Sequence, residues 1–491
     1  MFPFILASFS GILLFLSFPD FNLSYLAFVA FVPLFFALRK QPLIKSFFIA
    51  YLSGMIFWWG AIYWLVHVTF LGTVVLIAYL CCYFGVFGVL TAVFLNKKSP
   101  MRILWILPGA WSVLEYTRAH LFTGFGWASL GYSQYLNLPF IQVADLAGVY
   151  GVSFVIVLVN AGVFILLQKE ISLNLRLKQA LVAVVVLLAV LFYGFIRLNK
   201  VNSLSQKLDL NLGVVQSNID QELKWSEDNR DFIMARFMET TARLSGTDNP
   251  DLIIWPEAAL PVVLEEQPRY FKLVQDFNRG LRSQLLLGAV RTENQKYYNS
   301  ALLLSAKSDI LAVYNKLHLV PFGEYIPFRG VFPFLESIAP IGDISPGKDY
   351  TLFPVAAKKA SFSVKCAVLI CFEDLFPELA RSFVKQGAGL LVNITNDAWY
   401  KKTSAPRQHL QASVFRALEN RVFLARSANT GISGFIAPSG KILSLVEKGG
   451  ENTFIGGFSS CQFQDCALRN TFYTRYGDVF VTLAGVILFV L

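Results

Sequence analysis

Seven apolar stretches fill most of the first two hundred residues, at about 1–18, 23–38, 47–67, 69–95, 102–117, 151–168 and 179–197. Several approach the ~20 residues needed to cross a bilayer. A bilayer leaves few folds open, because every backbone polar group at that depth must find its partner within the protein. This part of the chain therefore reads as a helical membrane domain. The first two stretches are short enough for a tight hairpin, and the fifth is the weakest, since it runs into Pro108, Glu115 and Arg118. No Lys or Arg precedes the first stretch, so an anchor that stays is expected rather than a cleaved leader. Only 15% of the 491 residues are charged and the mean hydropathy is +0.54, against roughly a quarter charged in soluble domains.

The loops set the orientation. Arg39, Lys40 and Lys45 follow the second stretch, Lys97, Lys98 and Arg102 the fourth, and Lys169, Arg176 and Lys178 the sixth. The alternate loops, Asp20 to Leu23 and His67 to Thr69, carry no Lys or Arg. By the positive-inside rule the even-numbered exits face the cytoplasm, and the chain leaves the seventh stretch on the outer side. Arg197 and Lys200 argue the other way, but three loops outvote one. The loop from Ala119 to Val149, with Asp145 as its one acid, is either an interfacial segment or a plain connector.

From about Leu208 the composition changes. Candidate strands at Leu210–Val215, Leu252–Ile254, Gln284–Val290, Ser300–Leu304, Ile310–Tyr314, Cys366–Ile370 and Leu390–Ile394 alternate with helical stretches. The helices are expected at Asn229–Leu244, Pro268–Arg282, Pro377–Gln386 and Pro406–Ala425, and a hairpin turns at Pro438-Ser439-Gly440. Strands alternating with helices mean a layered α/β domain. A last apolar segment, Asp478–Leu491, spans a bilayer only if its helix starts near Phe472.

The net charge of +10 is spread over short loops, with no basic run interleaved with aromatics, so nucleic-acid binding is not expected. Six cysteines without a paired CxxC, and four histidines without ligand spacing, describe neither a metal site nor a disulfide scaffold. No metal or organic cofactor is expected. Few charges lie within the apolar stretches, which argues against a transport path.

Three strand ends carry reactive residues. The apolar run Ala367–Ile370 ends at Cys371 and is followed by Glu373, Asp374 and Pro377. A cysteine between a strand and a helix sits where backbone N–H groups and the helix dipole favour a thiolate, as a nucleophile needs; the bland reading is a small buried hydrophobe. Glu257 follows the run Leu252–Trp255, and Lys316 directly follows Ile310–Asn315. Ligands of α/β sheets bind beyond the carboxyl ends of strands. A carboxylate there can take the thiol proton, and an ammonium can stabilise an oxyanion. Taken singly, each reads more readily as a surface charge beside a loop, and the joint arrangement is what reverses this.

Together these residues resemble a known family. Glu257 in WPEAAL, Lys316 in YNKLHLVPFGEYIPF and Cys371 in CFEDLFPE are similar to the Glu-Lys-Cys triad of the nitrilase (carbon–nitrogen hydrolase) superfamily. Asn396–Trp399, Arg416–Asn420 and Ala428–Gly434 extend the likeness, which covers about 208–460 and implies an αββα sandwich. With its apolar stretches, FTGFGWASLGYSQ, and the segment from Val215 through Lys224 and Trp225, the whole chain resembles the bacterial apolipoprotein N-acyltransferases. The expected architecture is a polytopic membrane domain over 1–200 with about seven helices, a nitrilase-like catalytic domain over 208–463, and a C-terminal membrane helix over 472–491.

The resemblance implies that Cys371 attacks a phospholipid ester, usually of phosphatidylethanolamine, and that the thioester then passes its acyl chain to the α-amino group of a diacylglyceryl-cysteine on an apolipoprotein. The same covalent half-reaction would serve a membrane-tethered amidase that uses water. The family likeness also makes Glu324 a partner of Lys316, Glu373 a required acid, and Asn299 and Trp225 neighbours of the pocket. Phe372 stands where the family often has Tyr. A monomer in the bacterial inner membrane is expected, with the catalytic domain on the periplasmic side.

Overall fold

The computed structural model describes residues 1–96, 100–326, 344–359 and 362–490. Lys97, Lys98, Pro327 and Phe328, which enter the sequence reading, lie outside the described residues. The chain forms two compact units, one of 1–200, 403–411 and 471–491 and one of 201–402 and 412–470.

The first unit is helical: α1 (Phe2–Leu16), α2 (Val32–Leu38), α3 (Leu43–Ile62), α4 (Phe70–Asn96), α5 (Pro100–His120), α6 (Leu138–Ile141), α7 (Ala144–Leu167) and α8 (Leu173–Leu204). Among the described residues, four stretches are long and apolar enough to cross a membrane: Leu43–His67, Phe70–Asn96, Ala144–Leu167 and Leu173–Leu204. Phe2–Leu16, Ser24–Leu38 and Val479–Leu488 are apolar but shorter.

Close packing and satisfied backbone explain this unit. A Cβ on Gly88 of α4 would lie 2.4 Å from Ala50 Cβ and 2.7 Å from the Ser46 carbonyl, so glycine is what lets α4 approach α3. The second apolar stretch is broken into a 3-10 turn, Ser24–Phe28, and α2. The break is tolerated because Asn160 of α7 donates to the Ala27 carbonyl (2.8 Å) and accepts from Phe31 N–H (2.8 Å). Gln408, from the inserted segment 403–411, donates to the Ala61 carbonyl where α3 passes into the turn Tyr63–His67 (2.8 Å).

The loop after α5 is packed against its own unit rather than slack. Glu115 and Arg118 are buried. Glu115 accepts from Leu130 N–H (2.7 Å), and Arg118 donates to the Trp127 carbonyl (2.6 Å) and Ser129 Oγ (3.1 Å) while lying over the Trp58 ring. Arg197, which counts against the orientation, is paired with buried Asp145 (2.5 Å), whose other oxygen accepts from Tyr193 (2.6 Å).

The second unit holds twelve strands among the described residues, in two six-stranded sheets. The first half supplies β1 (Ser205–Gln216), α9 (Arg230–Asp248), β2 (Leu252–Ile254), α10 (Pro268–Leu281), β3 (Gln284–Glu293), β4 (Lys296–Leu304) and β5 (Ile310–Asn315). The second supplies β6 (Phe353–Ala356), β7 (Ser363–Ile370), α11 (Pro377–Lys385), β8 (Leu390–Thr395), the part of α12 (Ala405–Asn420) from residue 412 onward, β9 (Phe423–Ala428), β10 (Gly434–Ile436), β11 (Ile442–Leu445) and β12 (Gly457–Cys466). The sheet orders are β12-β1-β2-β3-β4-β5 and β11-β10-β9-β8-β7-β6. β1, β2 and β3 are parallel, as are β7, β8 and β9, and antiparallel strands flank both triplets. Crossover helices cover the parallel strands, which therefore read as unbroken apolar runs.

Ile233, Phe237 and Val274 of the helices pack on Ile253, Leu285 and Leu287 of the first sheet. Between the sheets, Ser427 of β9 lies within hydrogen-bond distance of the carbonyls of Val215 (3.0 Å) and Ile254 (3.1 Å). The helix expected over Pro406–Ala425 ends at Asn420. Arg421 takes φ +54°, and β-prone Phe423 and Leu424 enter β9. At the C-terminus, α13 (Phe472–Tyr476) and α14 (Val479–Val490) are separated at Gly477 rather than forming one helix from Phe472.

Candidate active site

The second unit gathers its reactive residues where strands of both sheets end. Glu257 follows β2 and Lys316 follows β5 in one sheet, while Cys371 follows β7 in the other. Cys371 has φ +54°, a left-handed turn that ends the strand abruptly and starts the 3-10 turn Cys371–Leu375. Such conformations cost a non-glycine residue about 1 kcal/mol or more and cluster at functional sites. Asn393 of β8 holds this turn, donating to the carbonyls of Leu369 (3.0 Å) and Cys371 (3.2 Å).

Lys316 is almost wholly buried, with Nζ 2.8 Å from Glu324 Oε2 and 3.9 Å from Glu257 Oε1. Burial alone would lower its pKa, but Glu324 and Glu257 together outweigh that and raise it, so the ammonium is held charged. The Asn299 amide bridges the acids, donating to Glu257 Oε1 and Glu324 Oε1 at 2.8 Å each. Val320 N–H also binds Glu324 Oε2 (2.8 Å).

Glu373 is fully buried and accepts four hydrogen bonds: Tyr314 Oη (2.8 Å), Leu317 N–H (2.7 Å) and His318 N–H (3.1 Å) on Oε1, and Ile370 N–H (2.7 Å) on Oε2. Burial pushes its carboxyl up to about 7 against the pull of those donors. It thereby ties the strand end before Cys371 to the segment just after Lys316.

Burial, with the Glu257 carboxylate behind it, pushes the Cys371 thiol well up; Lys316 pulls the other way and loses. This corrects the resting thiolate suggested by the strand-to-helix position. Cys371 begins a short 3-10 turn in a dry site rather than a long exposed helix, so it rests as a thiol and needs a base.

Of the seven residues singled out from sequence, six converge. Trp225 is 45% exposed, and among the described residues no hydrogen bond or ring contact reaches its indole. Its neighbour Lys224, not singled out, is buried and donates to the Glu257 carbonyl (3.1 Å). Also missed were Tyr314, Asn393, Tyr400 and Arg426. The Tyr400 hydroxyl is pushed well up by burial and then by Cys371, Asp397, Glu257 and Glu324. Arg426 is wholly buried and joins Asn393 Oδ1 (2.5 Å), Asp374 Oδ2 (3.2 Å) and Asp397 Oδ2 (3.2 Å) behind the Cys371 turn. An arginine, followed by Ser427, in the apolar run Phe423–Ala428 was the available signal. Phe372 packs its ring on Phe376 and near His318. Among the described residues, no group of three or more metal-ligating side chains occurs.

Two family profiles match the chain: the apolipoprotein N-acyltransferase N-terminal domain over residues 10–162 and carbon-nitrogen hydrolase over 211–465. An apolipoprotein N-acyltransferase from Geobacter metallireducens is 37% identical, with 97% of this chain and 92% of the relative covered. One from Pasteurella multocida is 31% identical over 92% of this chain and 89% of its own length. Among solved structures, an amidase from Nesterenkonia sp. is 18% identical with a TM-score of 0.41, covering 57% of this chain and 97% of that one. The two-sheet α/β unit, the apolar helical unit and the near full-length match to the curated relatives agree: the chain belongs to the apolipoprotein N-acyltransferase family.

Proposed function

We propose that the chain transfers a fatty acyl group from a phospholipid, through a thioester on Cys371, to the α-amino group of a diacylglyceryl-cysteine at an apolipoprotein N-terminus. The observation that carries this reading is the meeting of Glu257, Lys316 and Cys371 in one buried site of a chain that also carries an apolar helical unit. Asn299 holds Glu257 Oε1, leaving Oε2 to exchange the proton. In the first half-reaction Glu257 takes the Cys371 proton, sulfur attacks the ester carbonyl, and the proton passes to the departing alcohol of the lysophospholipid. In the second, the amine attacks the thioester, and its proton returns through Glu257 to the thiolate. Lys316, anchored by Glu324, offers a remaining N–H to the oxyanion of each tetrahedral intermediate.

Phosphatidylethanolamine is the proposed donor, and the enzyme works as a monomer in the inner membrane with the catalytic unit on the periplasmic side. The basic loops at Arg39-Lys40 and Lys169–Lys178 support that orientation.

The test is the mass of the intact protein after incubation with phospholipid, expected to rise by one acyl group that hydroxylamine removes. A peptide with a free N-terminal diacylglyceryl-cysteine should then discharge the acyl-enzyme, and its N-acetylated form should not. Equal decay with free amine, blocked amine and no peptide would make water the acceptor and the chain a hydrolase.

A further inference from the structure

Lys224 lies in the turn after β1, next to exposed Trp225, yet is only 5% exposed itself. Its Nζ donates to the main-chain carbonyl of Glu257 at 3.1 Å. The other charged or titratable groups that bear on it are the Glu257 carboxylate, on the loop after β2, and Cys371, on the turn after β7.

The backbone it grips is tightly constrained. Ala258, directly after Glu257, takes φ +45°, a left-handed conformation rare for an alanine. The turn lies so close to β3 that a Cβ on Gly288 would sit 2.6 Å from the Pro256 carbonyl and Ala258 nitrogen and 2.7 Å from Glu257 Cα. Gly288 N–H donates to the Pro256 carbonyl (3.2 Å), and Ala259 N–H donates to the Gly288 carbonyl (2.8 Å). β3 thus fixes the turn through the peptides on either side of Glu257, while the carbonyl of Glu257 itself is held by Lys224.

The charges point the same way. Glu257 and Glu324 share the single ammonium of Lys316, which sits 1.1 Å closer to Glu324 (3.9 − 2.8 Å). A second cation beside Glu257 balances the two carboxylates.

We propose that the Lys224 ammonium is a positioning residue for the general base, clamping the Glu257 main chain and supplying the second positive charge of the resting site. This rests on the reading of Glu257 as the base. Burial, opposed by Glu257 and Cys371, lowers the Lys224 amine to about 8. The clamp is therefore charged below that value and neutral above it, and a charge-assisted hydrogen bond is roughly twice as strong as a neutral one.

The test uses the full-length protein and the first half-reaction alone, since the acceptor amine would add its own titration. Acylation of Cys371 by phospholipid is followed by mass between pH 6 and 10 for the wild type, Lys224→Arg, Lys224→Met and Glu257→Gln. The wild-type rate should fall as pH rises through about 8. Lys224→Arg, charged throughout, should keep the neutral-pH rate within a few-fold and lose that fall. Lys224→Met should be slower by about tenfold at pH 7, for a misplaced base, and show no fall near 8. Thermal unfolding of each variant separates misfolding from misplacement, and the arginine variant remains decisive if the methionine one is unstable. A fall near 8 that persists in both Lys224 variants would overturn the proposal while leaving the Glu257 assignment intact. A Glu257→Gln protein that acylates like the wild type would instead overturn the assignment of the base.

Discussion

Replacing Glu373 by Gln changes one heavy atom at a residue that does not touch the reacting bond, and it should nonetheless cripple the enzyme. The carboxylate accepts from Tyr314 Oη, Leu317 N–H and His318 N–H on one oxygen and from Ile370 N–H on the other. An amide can keep its oxygen toward the first three only by turning its NH₂ at Ile370, donor against donor. A buried N–H left unsatisfied costs about 1–3 kcal/mol, and three charge-assisted bonds made neutral cost about 1 kcal/mol each. Removing a buried charge returns part of this, which leaves a loss of roughly 2–4 kcal/mol. At about 2–4 °C per kcal/mol for a domain of this size, the thermal midpoint should fall by roughly 4–16 °C. The severed bonds flank Cys371 on one side and Lys316 on the other, so the two drift apart, and misplacement by about 1 Å costs around 10²-fold in rate. Thermal unfolding in detergent and the rate of acyl-mass gain measure both effects. A Glu373→Gln protein with wild-type midpoint and wild-type acylation would refute the reasoning, because Glu373 could then be holding nothing that matters.

Cys371→Ser should nearly abolish acyl-enzyme formation, since a hydroxyl is far harder to ionise than a thiol, whereas Cys366→Ser, at a buried packing position in β7, the strand that leads to Cys371, should acylate normally; intact mass distinguishes them. Lys316→Ala should slow acylation by about 10²-fold or more through loss of an oxyanion donor, and Lys316→Arg should not restore it, because the planar fork cannot keep the Glu324 contact and the oxyanion contact together; an active arginine variant would show that diffuse charge suffices. Arg426→Lys should lower the thermal midpoint sharply, because one ammonium cannot serve Asp374, Asp397 and Asn393 at once and a buried unpaired carboxylate costs about 3–5 kcal/mol. A cysteine label near Glu266 should react with an impermeant reagent in intact cells, while one at Lys40 should react only after the membrane is opened; the reverse pattern would put the catalytic unit in the cytoplasm.

How much of this is legible in the sequence follows from what each residue depends on. The central strands β2, β3, β7 and β8 are covered on both faces, so their apolar runs stand out, and the residues just past them are found with them. β9 reads in part as the end of a helix because Arg426 and Ser427 interrupt its apolar run, and their burial depends on Asp374, Asp397 and the facing sheet. β12 mixes Ser459, Ser460, Gln462 and Gln464 with Phe458 and Phe463, as a partly exposed edge strand does, and carries no clear period. Lys224 and Trp225 are adjacent, and nothing local says that the lysine turns inward and the tryptophan outward; the position of Glu257 decides it. Arg197 reads as evidence on orientation because a charge count cannot see its partner, Asp145, on another helix.

The two contacts of Ser427 between the sheets have a mechanical consequence. Glu257 and Lys316 are carried by one layer of the sandwich and Cys371 by the other, so the proposed base and nucleophile face each other across the seam between layers. Apolar side chains resist separation of two layers but are nearly indifferent to a small glide along them, because burial is non-directional. Hydrogen bonds are directional and weaken steeply when their angle is spoiled. A polar rivet from β9 to the carbonyls of Val215 and Ile254 therefore opposes the displacement that hydrophobic packing leaves soft. On the proposed mechanism the catalytic distance is in effect a measure of shear, resisted by a serine outside the proposed triad together with the Glu373 bonds at the site.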